Sequence, residues 1–156
     1  MSRKPANADV TDLSCPVGNE EVLYSPAITN TPRQATAKID NQYTTCVSTK
    51  DLTITSAEGT FTIQGPISCN ALGGLEYDIK YTFNNGKFSK VHYVGSNTVQ
   101  RDGQTIVTAT GSVSDGLFKG DMVTRTVTDV NLNINDCNAQ GIHSISGPSE
   151  LLFVGR

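Results

Sequence analysis

Residues 77–123 read YDIKYTFNNGKFSKVHYVGSNTVQRDGQTIVTATGSVSDGLFKGDMV, and three turn signals divide the stretch: Asn85-Gly86, Asp102-Gly103 and Asp115-Gly116. Asn-Gly and Asp-Gly favour two-residue hairpin loops, because a type I′ turn needs positive φ at both central positions. Such a loop also fixes register, and paired residues share one face of the sheet. The first turn then pairs Phe83 with Phe88, Tyr81 with Lys90, Ile79 with His92 and Tyr77 with Val94. The second pairs Thr98 with Val107, Ser96 with Ala109, Val94 with Gly111 and His92 with Val113. The third pairs Val113 with Phe118, Gly111 with Gly120 and Ala109 with Met122.

One face so defined carries Tyr77, Ile79, Tyr81, Phe83, Phe88, Val94, Val107, Ala109, Val113, Phe118 and Met122, with Lys90, His92, Ser96 and Thr98 among them. The opposite face carries Glu76, Asp78, Lys80, Thr82, Ser89, Val91, Tyr93, Thr108, Thr110, Ser112, Lys119, Asp121, Val123 and Arg125. Three separate turns give the same segregation, so the stretch predicts an antiparallel meander. Gly111 and Gly120, expected opposite each other, suit the sharp coiling of a barrel, and small inward residues leave room for a cavity.

Lys90 and His92 fall on the expected inner face beside Tyr81 and Ile79. A polar group buried without a partner costs roughly a few kcal/mol. Three resolutions are open: the groups find partners, they lie at an open barrel mouth, or the register slips by one. With Tyr77 and Tyr81 as hydroxyl partners, Lys90 and His92 form the candidate ligand-binding cluster. A lysine snorkelling to water beside a satisfied core histidine is the blander alternative.

The rest of the chain extends the pattern. Glu20–Tyr24 and Gln34–Val47 read as strands, with residues 26–32 between them. Asp51–Thr55 and Thr60–Gln64 flank Ala57-Glu-Gly59, which reads as a hairpin, and Leu151–Val154 reads as a terminal strand. The expectation is an all-β fold of about nine or ten strands closing as a barrel, with a β-sandwich as the alternative. Residues 1–14 are polar and read as a flexible tail, and residues 15–156 as one domain.

Four cysteines, Cys15, Cys46, Cys69 and Cys137, allow three pairings. A hairpin centred near Asn30 sets Cys15 opposite Cys46 or its neighbour, which favours Cys15–Cys46 and leaves Cys69 for Cys137. No C-x-x-C spacing points to zinc or redox chemistry. Disulfides imply an oxidising compartment. The start, Met1-Ser-Arg-Lys-Pro-Ala-Asn-Ala, lacks the apolar core of a signal peptide, so the expectation is a secreted protein whose leader has been removed.

Composition excludes several classes. Twelve Lys and Arg against fifteen Asp and Glu give a net charge of −3. Nucleic-acid binding and polybasic membrane attachment both want dense positive charge, and no apolar run is long enough for a membrane helix. Only two histidines, His92 and His143, are present, too few for a usual multi-histidine metal site. The nucleophile elbow G-x-S-x-G, the dinucleotide fingerprint and the P-loop are all absent, and no cofactor motif replaces them.

The segment from Asp102 to Thr124, DGQTIVTATGSVSDGLFKGDMVT, is followed by Cys137, Ser144-Ile-Ser-Gly-Pro148 and Leu151. Together with Cys15, Tyr24-Ser-Pro26, Cys46 and Cys69, this layout resembles small secreted four-cysteine β-proteins of actinobacteria. The resemblance implies export and a four-cysteine framework. Its motifs are structural, so no activity or site residue follows from it.

The leading functional expectation is a secreted, non-enzymatic module that acts on a protein or cell-surface partner. The others are a barrel holding a small apolar ligand, and an isomerase- or cyclase-like enzyme using the same pocket with His92 as acid/base. If the barrel stays open, a free first or last strand edge would allow a homo-oligomer.

Overall fold

Alternation with a period of two runs through most of the described strand residues. Val22 and Tyr24 point inward between exposed Glu21, Leu23 and Ser25, and Ala35, Ala37, Ile39 and Tyr43 repeat the pattern on the next strand. In the structure, a computed structural model that describes residues 10–69, 76–101, 104–129 and 134–155, β1 runs Val10–Ile28, β2 Arg33–Ser48, β3 Ala57–Ile67 and β4 Tyr77–Phe83. Then come β5 Phe88–Arg101, β6 Gln104–Gly116 and β7 Met122–Asp129, a short helix α1 at Ile134–Asn138, and β8 Ile142–Gly155. Each strand pairs antiparallel with the next, and β8 returns to β1 to close a barrel.

The described strands number eight, not nine or ten. Asp51–Thr55 is a turn rather than a strand, with Asp51 Oδ1 accepting the Thr53 N–H at 3.1 Å. Ala57, Glu58 and Gly59 lie inside β3, opposite Tyr43, Gln42 and Asn41, so the hairpin expected there does not form. Strand β1 starts at Val10, so the tail expected to reach residue 14 gives way to barrel earlier: Asp12 and Leu13 are buried. Residues 1–9 lie outside the described residues. Closure occupies the β1 and β8 edges on which an edge-paired oligomer depended.

Both expected disulfides form, Cys15–Cys46 and Cys69–Cys137. The β1–β2 hairpin pairs Glu20 with Asn41 and Ser25 with Thr36, an axis midway between Asn30 and Thr31 that sets Cys15 against Cys46. Cys69 follows β3 and reaches Cys137 on α1. Among the described residues, no helix is long and apolar enough to cross a membrane.

Register departs from expectation at two of the three turns. At Asn85-Gly86 the Phe83 N–H donates to the Lys87 carbonyl, and the Gly86 N–H donates to the Phe83 carbonyl. That is a three-residue loop, a turn closed by Gly86 at φ 88°, instead of the two-residue type I′ form. One extra loop residue slips β5 by one: Ile79 pairs with Val91 and Asp78 with His92. Val91 and Tyr93 therefore point inward, and Lys90 and His92 point outward. A bulge between Tyr93 and Gly95 absorbs the slip, and beyond it Ser96 pairs with Ala109 and Thr98 with Val107 as expected. Asp102 and Gly103 themselves lie outside the described residues.

At Asp115-Gly116 no turn forms. Both residues continue the β5–β6 ladder opposite Lys90 and Ser89. The chain reverses later, over 117–120, and places the Phe118 ring 6.2 Å from Phe83 and 5.8 Å from Phe153, centroid to centroid. Covering the barrel end with this ring favours the longer loop over a tight turn, even though Phe118 takes a positive φ of 63°. Gly111 consequently faces Val123 and Tyr93, not Gly120. Val123, Arg125 and Val127 turn inward, and Met122 turns outward.

The interior has two apolar layers. Leu13, Tyr43, Ile79, Tyr81, Tyr93 and Phe153 anchor one; Val22, Ile28, Ile39, Ile63, Ile67 and Ile145 anchor the other. Phe61 and Tyr77 pack against both layers.

Candidate functional site

A belt of buried polar groups adjoins the first apolar layer, whose Tyr43, Tyr81 and Tyr93 supply three of its hydroxyls. Strand β1 supplies Glu20, β2 supplies Asn41 and Tyr43, β4 supplies Tyr77 and Tyr81, β5 supplies Tyr93, β7 supplies Arg125 and β8 supplies Ser149. Arg125 is 4% exposed and Glu20 is 7% exposed. Arg125 Nη2 donates to the Tyr77 hydroxyl at 2.6 Å, and Arg125 Nε stands 3.7 Å from Glu20 Oε1. The guanidinium also lies 4.8 Å from the Tyr93 ring centre and 5.6 Å from the centres of Tyr77 and Phe61. The Tyr81 and Tyr93 hydroxyls share a 2.7 Å hydrogen bond. Tyr43 donates to Asn41 Oδ1 at 3.1 Å and shares a 2.7 Å bond with Ser149 Oγ.

Burial sets the protonation of this belt. Desolvation raises the Glu20 pKa above the ordinary carboxylate value, and the Arg125 charge offsets part of that rise. For Arg125, desolvation opposes the charge, but the Glu20 carboxylate and surrounding tyrosines outweigh it and hold the guanidinium form. Burial pushes Tyr81 up to about 12 and raises Tyr43, Tyr77 and Tyr93 as well, so the phenols keep their protons.

The belt is incompletely satisfied. Glu20 Oε1, Asn41 Nδ2, Arg125 Nε and Arg125 Nη1 are buried without a hydrogen-bond partner. An unmet buried polar atom costs about 1–3 kcal/mol, so four in one belt call for something that meets them. Glu20, Tyr24, Tyr77 and Arg125 line a cavity of about 30 Å³, and Val22, Ile39, Ile63, Ile67, Val107 and Ile145 form most of its remaining wall. A wider depression of about 340 Å³ lies beside Gln42, Glu58 and Asn84, but no buried unpartnered atom faces it.

One barrel seam is weak at this level. Strands β3 and β4 pair only at Ala57–Phe83 and Glu58–Thr82. Gly59 still packs against Ile79 and the Lys80 carbonyl, and farther along the half-buried Phe61 and Tyr77 rings stack 5.0 Å apart at 10°.

The candidate cluster read from sequence divides in two. Tyr77 and Tyr81 are interior, as expected. Lys90 and His92 are not: the slipped register puts both on the outer surface, 48% and 42% exposed. There His92 Nδ1 lies 2.7 Å from Asp78 Oδ1 and Nε2 lies 3.4 Å from Glu76 Oε1. The hydrogen bond to Asp78 raises the His92 pKa by favouring its charged form. His92 therefore has no access to the interior and cannot be its acid/base group. Glu20, Asn41, Tyr43, Tyr93, Arg125 and Ser149 were missed. Among the described residues, no group of three or more His, Cys, Asp or Glu side chains is placed to hold a metal ion.

Comparison with known proteins yields no matching family model, no matching curated protein and no matching solved structure.

Proposed function

We propose that the barrel is a secreted module that binds a small, largely apolar molecule in its interior and fixes it by one polar group at Arg125, Glu20 and Tyr77. One observation carries this reading: Arg125 Nε and Nη1 and Glu20 Oε1 are unpartnered, and both side chains line a mostly apolar cavity. An apolar wall with a few convergent polar groups is the usual make-up of a small-molecule site. At about 30 Å³ the resting cavity holds one water-sized group, well below the roughly 300–1,000 Å³ of a usual ligand pocket, so a ligand must enlarge it. Entry also needs the β3–β4 seam to widen, and among the described residues that seam is held by two paired positions, the Gly59 contact and a ring stack. Two disulfides support an oxidising destination outside the cell, as does the resemblance to secreted four-cysteine proteins.

Ligand-observed NMR with cyclohexanone, cyclohexanol and cyclohexane tests the reading. The ketone and alcohol should bind more tightly than the hydrocarbon, and Arg125→Met should weaken the ketone by about tenfold or more, ~1.4 kcal/mol. Lys90→Ala and His92→Ala should leave binding unchanged. Equal binding of all three probes, or an indifferent Arg125→Met variant, would overturn the site.

A protein or cell-surface partner is the second reading, favoured by exposed Val17, Val47 and Leu152 on the neighbouring strands β1, β2 and β8. Surface labelling that protects these three side chains in the presence of native cell envelope would favour it.

A further inference from the structure

We infer that Glu20 and Arg125 form a proton-transfer pair, and that the barrel isomerises small β,γ-unsaturated carbonyl compounds to their conjugated forms. The inference rests on the interior binding site proposed above and assigns it a reaction.

The geometry joins three functions on the wall of one mostly apolar cavity, which must open from its resting volume of about 30 Å³ to admit a substrate. Glu20 Oε1 has no hydrogen-bond partner, so its lone pairs are available to a C–H proton. Arg125 Nε and Nη1 have unused N–H groups 3.7 Å or so from that oxygen on the Nε side, placed to receive a carbonyl oxygen. Tyr77 already accepts from Arg125 Nη2, which aligns its hydroxyl and leaves its own O–H to donate. A carbonyl oxygen held on the guanidinium thus sets the adjacent carbon beside the Glu20 carboxylate.

The step balances without a further reactant. The Glu20 carboxylate takes the proton from the carbon between carbonyl and alkene. The C–H electron pair becomes a C=C bond, and the carbonyl π pair moves onto oxygen, giving a dienolate. Protonated Glu20 then gives the same proton to the far carbon of the old alkene, the oxygen pair returns to form C=O, and the double bond is now conjugated. Negative charge passes from carboxylate to dienolate and back, always beside the Arg125 cation. Fixed donors aimed at a developing oxyanion away from water are worth more than the same donors in solution. Burial helps in a second way, because a carboxyl with a raised pKa is a stronger base once ionised.

The test uses the intact disulfide-bonded protein and cyclohex-3-enone, followed by absorbance of the conjugated product. Wild type should accelerate conversion over buffer, with a rate that rises with pH as Glu20 ionises. In D2O the product should retain part of the original hydrogen at the receiving carbon, because one carboxyl both takes and returns it. Glu20→Gln should still bind cyclohexanone yet lose about 10²–10⁴-fold in rate, and Glu20→Asp should recover part of the loss. Binding without acceleration overturns the reaction and leaves the binding site standing. Failure to bind cyclohexanone overturns both. The D2O and pH measurements need no variant, so a misfolded Glu20→Gln leaves the inference exposed to refutation.

Discussion

Asp12 and Asp121 meet where the first strand passes the β6–β7 loop. A methyl group on Gly155 would meet both Asp12 Oδ2, at 2.6 Å, and Asp121 Oδ1, at 3.3 Å, and Lys50 Nζ reaches Asp12 Oδ2 at 3.4 Å. Desolvation, then the hydrogen bond and the charge of Asp12, raise the Asp121 pKa from 3.8 to about 7. Between those values the folded protein holds a proton that the unfolded chain has released, so folding is favoured at low pH. That contribution is complete below the unfolded value and is lost as pH rises through about 7. Denaturant titrations from pH 5 to 8.5 should show stability falling up to about pH 7 and levelling above it, and Asp121→Asn should flatten the fall. An unchanged slope in the variant would remove the shared proton. Arg125 offers a second lesson at this scale. Met122-Val-Thr-Arg-Thr-Val-Thr128 alternates so that Val123, Arg125 and Val127 share a parity. Glu20 likewise shares a parity with Val22 and Tyr24, and Asn41 with Ile39 and Tyr43. These three signals were legible without the structure. A face assigned from the Asp115-Gly116 turn overrode the strand's own alternation.

Among the elements, β5 and β6 carry the tightest backbone approach. A methyl group on Gly111 would lie 2.2 Å from the His92 carbonyl oxygen, whereas one on Gly95 would meet nothing within 4 Å. Gly111→Ala should therefore destabilise by about 3 kcal/mol, since backbone and not a pliable side chain must yield. Gly95→Ala should stay within about 1 kcal/mol. Urea midpoints of the two variants check the contrast, and equal midpoints would show that the bulge at Val94 is free to move. The same region explains which parts of the fold could be read in advance. The meander follows from strand order, and the β1–β2 axis and both disulfides follow from the placement of the one hairpin centred near Asn30. Asn85-Gly86 misled because Asn-Gly also serves a three-residue loop, and one residue inverts every side chain until a bulge restores the count. Asp115-Gly116 misled because Phe118 gains more by covering the barrel end than the tight turn offers, and a distant core contact of that kind is invisible in a local motif.

For the whole molecule, the two disulfides do unequal work. Cys15–Cys46 joins strands already paired by a ladder and closes 31 residues. Cys69–Cys137 closes 68 residues and connects the end of β3 to α1. Chain-entropy reasoning gives about 4 kcal/mol for the longer loop and somewhat less for the shorter. Replacing both Cys69 and Cys137 with alanine should lower Tm by about 10 °C. Loss of the Cys15–Cys46 bridge should cost less, because the hairpin ladder persists without it. A larger loss at Cys15–Cys46, read by calorimetry, would mean that the barrel depends on its first hairpin more than on the bond to α1.

Val10 pairs with Gly155, so the described chain leaves the barrel beside the point where it entered. Around the ring, β8 is as much the neighbour of β1 as β2 is. The strand order is therefore a cycle, and its starting point is arbitrary. A circular permutant that joins residues 10 and 155 through a short linker and opens at the exposed Asn84–Lys87 loop keeps every ladder of the barrel.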